Sequence, residues 1–167
     1  MSKLMNRAVA GVVIATLGLS AGVAHAAPVT ANASAKARIL KPITVTNTSD
    51  LDFGTIVTGA AASVAVSTGA VRTCGAGLTC TGTVTAANFN ISGTKNEVVT
   101  ITGDNTVTLN NGTGGNMTAT LTRSASTITL IDSAIGGSFQ VGGTLSLAAT
   151  QPDGNYIGSF QVIVDYQ

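Results

Sequence analysis

Two cysteines and two closely spaced aspartates are the residues of this chain whose types and spacing could do chemistry. Cys74 and Cys80 enclose the segment Gly-Ala-Gly-Leu-Thr, and Asp50 and Asp52 stand two positions apart. Two neighbouring thiols can form a disulfide, a redox pair or part of a metal site. Paired carboxylates can act as acid and base in glycoside hydrolysis. Each of these chemistries needs supporting residues elsewhere in the chain.

The residues that an enzyme would need are largely missing from the sequence. The single histidine, His25, lies in a segment that we expect to be removed, so Ser-His-Asp and Cys-His mechanisms would lack their base. There is no G-x-S-x-G motif and no glycine-rich phosphate loop with a following Lys. Asp50 and Asp52 fit a polar turn before Phe53 enters the core and Gly54 bends the chain. We therefore expect a protein that is not an enzyme and uses no metal or other cofactor.

The two cysteines are better interpreted as a structural disulfide than as a redox or metal site. Two thiols without histidine or nearby carboxylates make a poor zinc shell, and the C-x5-C spacing of Cys74 and Cys80 is not the thioredoxin-type motif. In an oxidising compartment, two cysteines in a small exported domain pair with each other. A closed loop of about seven residues would stabilise the fold by about 2 kcal/mol through chain entropy.

Residues 1–26 have the composition of a secretory signal peptide. Lys3 and Arg7 precede an apolar run over 8–24, and Ala24-His25-Ala26 forms an A-x-A cleavage pattern. A membrane anchor is the alternative, but the run is shorter than the roughly 20 residues that a spanning helix needs. We expect cleavage, export, and no membrane span in the part of the chain that remains.

Charge excludes one class of partner. Charged residues make up only 9% of the chain, and the formal net charge is +1. A protein that binds nucleic acid neutralises phosphates with clustered Lys and Arg side chains, which this sequence lacks. We expect no nucleic-acid partner.

Threonine alternating with Val, Ile or Leu is the dominant pattern after residue 26. It occurs at 43–46, 81–85, 99–102 and 107–109, where β-branched residues fit a pleated surface and alternation places apolar side chains on one face. Segments rich in Gly and Asn, such as 110–116, separate these runs as turns. Short strands at such spacing predict an all-β sandwich or barrel.

The last fourteen residues are the most informative segment. Alternate positions there form one face, which consists of Gly154, Tyr156, Gly158, Phe160, Val162, Val164 and Tyr166. This face indicates either the last strand of a complete sandwich or a strand that is presented to a partner by strand addition.

This segment resembles the carboxyl end of chaperone–usher pilins. Those subunits have an alternating apolar strand, a penultimate Tyr and a Gly fourteen positions from the end, and here Tyr166 and Gly154 stand at those positions. Residues 31–53, continuing into Gly54, are similar to the start of spore-coat-protein-U-like and fimbrial-like domains, where an alternating strand leads into a Leu-Asp-Phe-Gly turn. Over nearly all of 31–167, the chain is similar to a family of exported bacterial proteins labelled as a domain of unknown function.

One departure limits what the resemblance carries over. Spore-coat-U-like domains place a Cys in the first strand, where this chain has Lys41-Pro42. Their disulfide pairing is therefore not transferred to this sequence.

The resemblance implies an immunoglobulin-like β-sandwich of the pilin type over 42–167, either complete or lacking one strand. In pilins the missing strand is lent first by a chaperone and then by the amino-terminal extension of the next subunit. Residues 27–41 are the corresponding extension here, or else part of the protein's own first strand over 31–45. The candidate donor residues alternate along it and are Ala31, Ala33, Ala35, Ala37 and Ile39. Pro42 marks a break between extension and domain because it cannot donate to a β-ladder.

These observations lead to an expected function of structural type. The protein is expected to be a fimbrial-like surface subunit that assembles by donor-strand complementation and reaches the cell surface or the medium through the periplasm. The resemblance implies a periplasmic chaperone, an outer-membrane usher and neighbouring subunits of a homo- or hetero-polymer as partners. The alternatives are a self-complete secreted β-sandwich that binds carbohydrate or a surface ligand, and a self-associating matrix or coat protein.

Overall fold

The computed structural model describes residues 26–132 and 134–167. Except for Ala26, the expected signal peptide lies outside the described residues. The chain divides between Ala37 and Arg38 into two units. In the first, residues 26–37 are exposed and have no regular secondary structure; the second contains the strands that the structure describes.

The second unit consists of strands joined by turns and loops in the part that the structure describes. The strands are β1 (Thr44–Ser49), β2 (Thr55–Val57), β3 (Ala62–Val66), β4 (Arg72–Cys74), β5 (Thr79–Thr81), β6 (Ala87–Ser92), β7 (Val98–Gly103), β8 (Thr106–Asn110), β9 (Asn116–Arg123), β10 (Thr127–Thr129), β11 (Gly137–Leu147) and β12 (Val162–Tyr166). Among the described residues, no helix has the length and apolar character that crossing a membrane requires.

The long strand β11 organises a seven-stranded antiparallel sheet. The sheet runs in the order β1-β6-β11-β3-β4, with β9 also paired to β11 and β8 paired to β9. Val141 of β11 pairs with both Ala87 of β6 and Arg123 of β9. Gly143 pairs in the same way with β3 and β9. Because a strand has only two edges, β6 and β3 follow one another along one edge of β11, and β9 occupies the other.

A three-stranded antiparallel sheet in the order β10-β7-β12 packs against this layer, and β2 pairs with β5 in a small separate ladder. The core between the layers is centred on Phe139, which is fully buried and stacks on Phe89 with ring centroids 5.1 Å apart. Ile91, Val99 and Leu130 are fully buried beside it. The prediction of an all-β sandwich is confirmed, and the antiparallel layers are consistent with the immunoglobulin-like class.

Most of the predicted alternating runs are strands, but one is not. The runs at 99–102 and 107–109 lie in β7 and β8, and the run at 43–46 forms the start of β1. The prediction of a strand over 81–85 is wrong, because β5 ends at Thr81 and Gly82 has a φ of 75°. A positive φ turns the chain out of the extended conformation and is readily adopted by glycine.

Candidate functional site

The last strand, β12, lies at the edge of its sheet. It pairs with β7 from Val162 opposite Gly103 to Tyr166 opposite Val99, and β10 occupies the other edge of β7. No strand of the described ranges pairs with the outer edge of β12. The seven residues predicted to form the partner strand belong to this edge and to the segment before it.

Backbone hydrogen bonds show which residues between 154 and 167 direct their N–H and C=O groups to the sheet and which direct them to the free edge. The N–H of Gln167 donates to the carbonyl of Val98 at 3.0 Å, and Ile157 exchanges two backbone bonds of 3.0 Å with Asn110. Odd-numbered residues thus bond to the sheet. Since successive residues of an antiparallel strand direct their backbone groups to opposite edges, the even-numbered residues of β12, which are Val162, Val164 and Tyr166, direct theirs to the free edge.

The same even-numbered residues direct their side chains into the sandwich. Tyr156, Phe160, Val162, Val164 and Tyr166 are half-buried and pack against the core. The odd-numbered Ile163, by contrast, is 50% exposed. The structure therefore places the predicted face inward but leaves it only partly covered. In β12 the same residues direct their backbone groups to an edge that pairs with no strand of the described ranges.

Regular pairing of this segment is shorter than the alternation in the sequence. β12 begins at Val162, and upstream of it the bridge between Asn110 and Ile157 is the isolated contact with β8. The reason lies in the neighbouring strands, because β7 ends at Gly103, and Asp104 and Asn105 separate it from β8. Asp104 bonds to Gln161 through its own N–H and through a carboxylate oxygen, which accepts the N–H of Gln161 at 2.7 Å.

The first strand, β1, is the corresponding edge of the larger sheet. It pairs with β6 only, with Val45 opposite Ile91 and Asn47 opposite Phe89. Ile91 is fully buried, whereas Val45 on the same face is 37% exposed. The inward face of β1 therefore lacks a covering layer among the described residues.

The two edges border one open side of the sandwich, which we call the open groove. The ring of Phe160 meets Phe89 of β6 edge-on at 6.3 Å, so the segment before β12 lies over β6, whose next neighbour in the larger sheet is β1. The open groove is bordered by residues 154–166 on one side and by residues 43–58 on the other.

The two ends of the open groove differ, and the Tyr166 end is tied together by hydrogen bonds. The Tyr166 hydroxyl donates to the carbonyl of Lys41 and accepts the N–H of Thr94, both at 2.7 Å. The N–H of Lys41 donates to the Thr94 hydroxyl at 2.7 Å, and Arg38 forms an ion pair with Glu97. The first residues of the second unit, Arg38 to Lys41, are therefore held to Glu97, Thr94 and the end of β12 by these contacts.

At the Tyr156 end the open groove deepens into a cavity of about 530 Å³. Its apolar floor is formed by Met117, Leu145 and Leu147, which are buried, and by Leu109. Its polar rim is the loop over 151–156. The Tyr156 hydroxyl fixes this rim, because it donates to the carbonyl of Pro152 and accepts from Gln151 Nε2, both at 2.8 Å.

The candidate donor residues lie outside the strands. The alanines at 31, 33, 35 and 37 are exposed and have no regular secondary structure, and Ile39 is 91% exposed. The first strand of the described ranges begins at Thr44, and residues 31–43 pair with no strand there.

The structural disulfide is confirmed. Cys74 and Cys80 are bonded, with their Cα atoms 6.1 Å apart. The bond links β4, the last strand of the larger sheet, to β5 of the two-stranded ladder. A disulfide is compatible with an exported protein.

Asp52 of the aspartate pair forms a turn with Gly54, as the sequence indicated. An Asp52 carboxylate oxygen accepts the N–H of Gly54 at 2.8 Å, and Gly54 has a φ of 74°. Phe53 between them is buried, and Asp50 is exposed. Over 26–132 and 134–167, no three His, Cys, Asp or Glu side chains gather as a metal site would require.

Sequence reasoning missed the cavity and the contact between Tyr166 and Lys41. The cavity floor comes from three strands, and the only local signal was the alternation of Leu145 and Leu147 in β11. No sequence signal links Lys41 to a tyrosine 125 positions away.

No curated protein and no solved structure matches the chain. A family model does match it over residues 43–166, a range that contains every strand from β1 to β12. The chain therefore belongs to the family described as Domain of unknown function (DUF4402).

Proposed function

We propose that this protein is a structural, fimbrial-like subunit that assembles by accepting a strand of a partner along the free edge of residues 154–166. The observation that supports this most is the coincidence of two features on the same residues. Phe160, Val162, Val164 and Tyr166 are only half-buried although they face the core, and the backbone groups of the last three, in β12, point to an edge without a partner strand in the described chain.

A donated strand would satisfy both features at once. Each backbone hydrogen bond that it adds contributes about 1 kcal/mol, and its inward side chains cover the exposed part of the core face. A strand edge of this length is otherwise a site of unwanted association. Strand addition is a common form of peptide recognition in which the backbone gives affinity and alternate side chains give specificity.

The partners follow from the resemblance to pilins. In this proposal a periplasmic chaperone first covers the open groove, an outer-membrane usher receives the subunit, and a neighbouring subunit then supplies the strand. Residues 1–26 direct export to the periplasm and are removed on export, and the protein then reaches the cell surface. The disulfide between Cys74 and Cys80 is compatible with this route.

Residues 27–41 of a neighbouring copy are the proposed donor strand. They alternate small apolar and polar side chains, and their fifteen residues would extend over roughly 50 Å. Ala31, Ala33, Ala35, Ala37 and Ile39 would face the open groove. Contacts of this kind between identical subunits do not close on themselves and therefore build a filament.

A self-complete binding protein is the second candidate, and the 530 Å³ cavity favours it. Concave apolar sites with a few polar groups at the rim are typical of small-ligand binding. Such a protein would remain a monomer when purified.

Size-exclusion chromatography with electron microscopy tests the proposal. The full chain is compared with a variant lacking residues 27–37 and with a control in which those residues are replaced by a Gly/Ser linker of equal length. The deletion leaves the Arg38–Glu97 and Lys41–Tyr166 contacts intact. We expect filaments from the full chain only. Monomeric full chain whose β12 edge is protected from hydrogen exchange would refute the proposal and favour the self-complete protein.

A further inference from the structure

We infer that the cavity beside Tyr156 binds a small amphiphile, which is a molecule with an apolar chain and a positively charged head group. The site goes beyond the proposed strand acceptance, because its walls and floor come from a single copy and it needs no second one.

One wall of the cavity is the loop over 151–156, and hydrogen bonds hold this loop in place. The Tyr156 hydroxyl makes two hydrogen bonds of 2.8 Å within the loop. Asn111 Nδ2 donates to the carbonyl of Asp153 at 3.3 Å and so ties the loop to the end of β8. A wall that is already ordered loses little conformational freedom when a ligand binds.

The opposite wall consists of residues 51–58, which are held in the same manner. Asp52 exchanges two backbone hydrogen bonds with Thr85, at 2.9 and 3.2 Å. After it, β2 pairs with β5, and the disulfide ties β5 to β4. The cavity is therefore preformed on both sides, as sites for small molecules usually are.

The floor of the cavity selects the apolar part of the ligand. Met117, Leu145 and Leu147 are buried there, beside Leu109. The volume of about 530 Å³ lies within the range of about 300–1,000 Å³ that is typical of small-molecule sites. Each methylene group that leaves water for this floor raises the affinity about fourfold.

The mouth of the cavity selects the charge of the head group. Asp52 and Asp153 line it and are exposed, and among the described residues no Lys or Arg lines the cavity. The Arg72 guanidinium donates to three backbone carbonyls instead. An ammonium group at the mouth is attracted by both carboxylates and keeps much of its hydration, whereas a carboxylate group is repelled.

Three probes of equal chain length test the site on the full chain: octylammonium, octanol and octanoate. Calorimetry measures each dissociation constant, and NMR of the methionine methyl groups reports on the cavity floor. The signal of Met117 is assigned by its loss in Met117→Leu, because Met1 and Met5 are the other methionines of the sequence. We expect octylammonium to shift this signal and to bind about tenfold more tightly than octanoate, with octanol between them.

Two substitutions test the head-group contacts. Asp52→Asn and Asp153→Asn should each weaken binding of octylammonium about 2- to 5-fold and leave binding of octanol unchanged. Asn at 52 retains an oxygen that can accept the N–H of Gly54, so the turn is kept. Asp165→Asn is the matched control, because Asp165 is exposed and does not line the cavity.

Two results would overturn the ligand class or the site. Binding of octanoate that equals or exceeds that of octylammonium overturns the positive head group, and a Met117 signal that no probe shifts overturns the site. Binding that appears only after deletion of residues 27–37 would show that a segment of the chain occupies the cavity, and it too overturns the small-molecule site. Electron microscopy scores filaments separately, so probe binding without assembly counts against the proposed function alone.

Discussion

The hydroxyl of Tyr166 donates a hydrogen bond of 2.7 Å to the backbone carbonyl of Lys41, and so joins residues 125 positions apart. This bond connects the end of β12 to the chain that leads into β1, the two strands whose free edges border the open groove. The same hydroxyl accepts the N–H of Thr94. One side chain therefore holds both borders of the open groove at one end.

Tyr166→Phe should destabilise the compact unit by about 1–3 kcal/mol, because it leaves a part-buried N–H and a carbonyl without their partner. Urea unfolding followed by circular dichroism measures the change. Asp165→Asn is the matched control, since Asp165 is exposed and a substitution there should change stability by less than about 0.5 kcal/mol. Equal stability of the two variants would contradict the role assigned to the hydroxyl.

Gly93→Ala should disturb the same hydrogen bond from the other side. A Cβ at Gly93 would lie 2.7 Å from the Tyr166 hydroxyl and 2.8 Å from Leu130 Cδ1, so one of them must move, at a cost of about 1–3 kcal/mol. Gly69→Ala serves as the control because its Cβ would meet nothing closer than 3.8 Å. In the double variant Gly93→Ala with Tyr166→Phe, the loss of stability should be smaller than the sum of the losses in the two single variants. Strictly additive losses would argue against a shared contact.

Val164→Asp should abolish assembly, with the fold retained at lower stability, whereas Ile163→Asp should change neither assembly nor folding. Val164 is half-buried on the face that the donated strand would cover, and Ile163 is 50% exposed on the opposite face of the same strand. A carboxylate at 164 would lose its hydration under a donated strand. Electron microscopy scores assembly and circular dichroism scores folding. Filaments formed equally by both variants would show that this face is not the contact.

Replacement of both Cys74 and Cys80 by Ser should lower the free energy of unfolding by about 2 kcal/mol, as expected for a disulfide that closes a short loop. Thermal unfolding with and without reductant measures it. Reductant should lower the melting temperature of the unmodified chain and leave that of the double variant unchanged. Insensitivity of the unmodified chain would show that this link between β4 and β5 adds little to stability.

The sequence predicted several local features correctly. The alternation at 99–102 and 107–109 predicted β7 and β8 because successive side chains of a strand point to opposite faces. The Asp52-Phe53-Gly54 turn was readable because an Asx side chain and a glycine favour a turn. The alternation at 81–85 led to a wrong prediction of a strand. Gly82 has a positive φ and ends β5 after Thr81, which the alternation of side chains does not indicate.

The sequence by itself determined that this chain forms half-buried strands, that its two cysteines pair and that residues 154–166 present one apolar face. Only the tertiary structure decided that this face borders an edge without a partner strand among the described residues, that regular pairing starts at Val162, and that Leu109, Met117 and Leu145 line one cavity. The physical reason is that alternation and turns depend on residues close in sequence. Which edge stays free depends on which distant strands pair, and no local pattern contains that information.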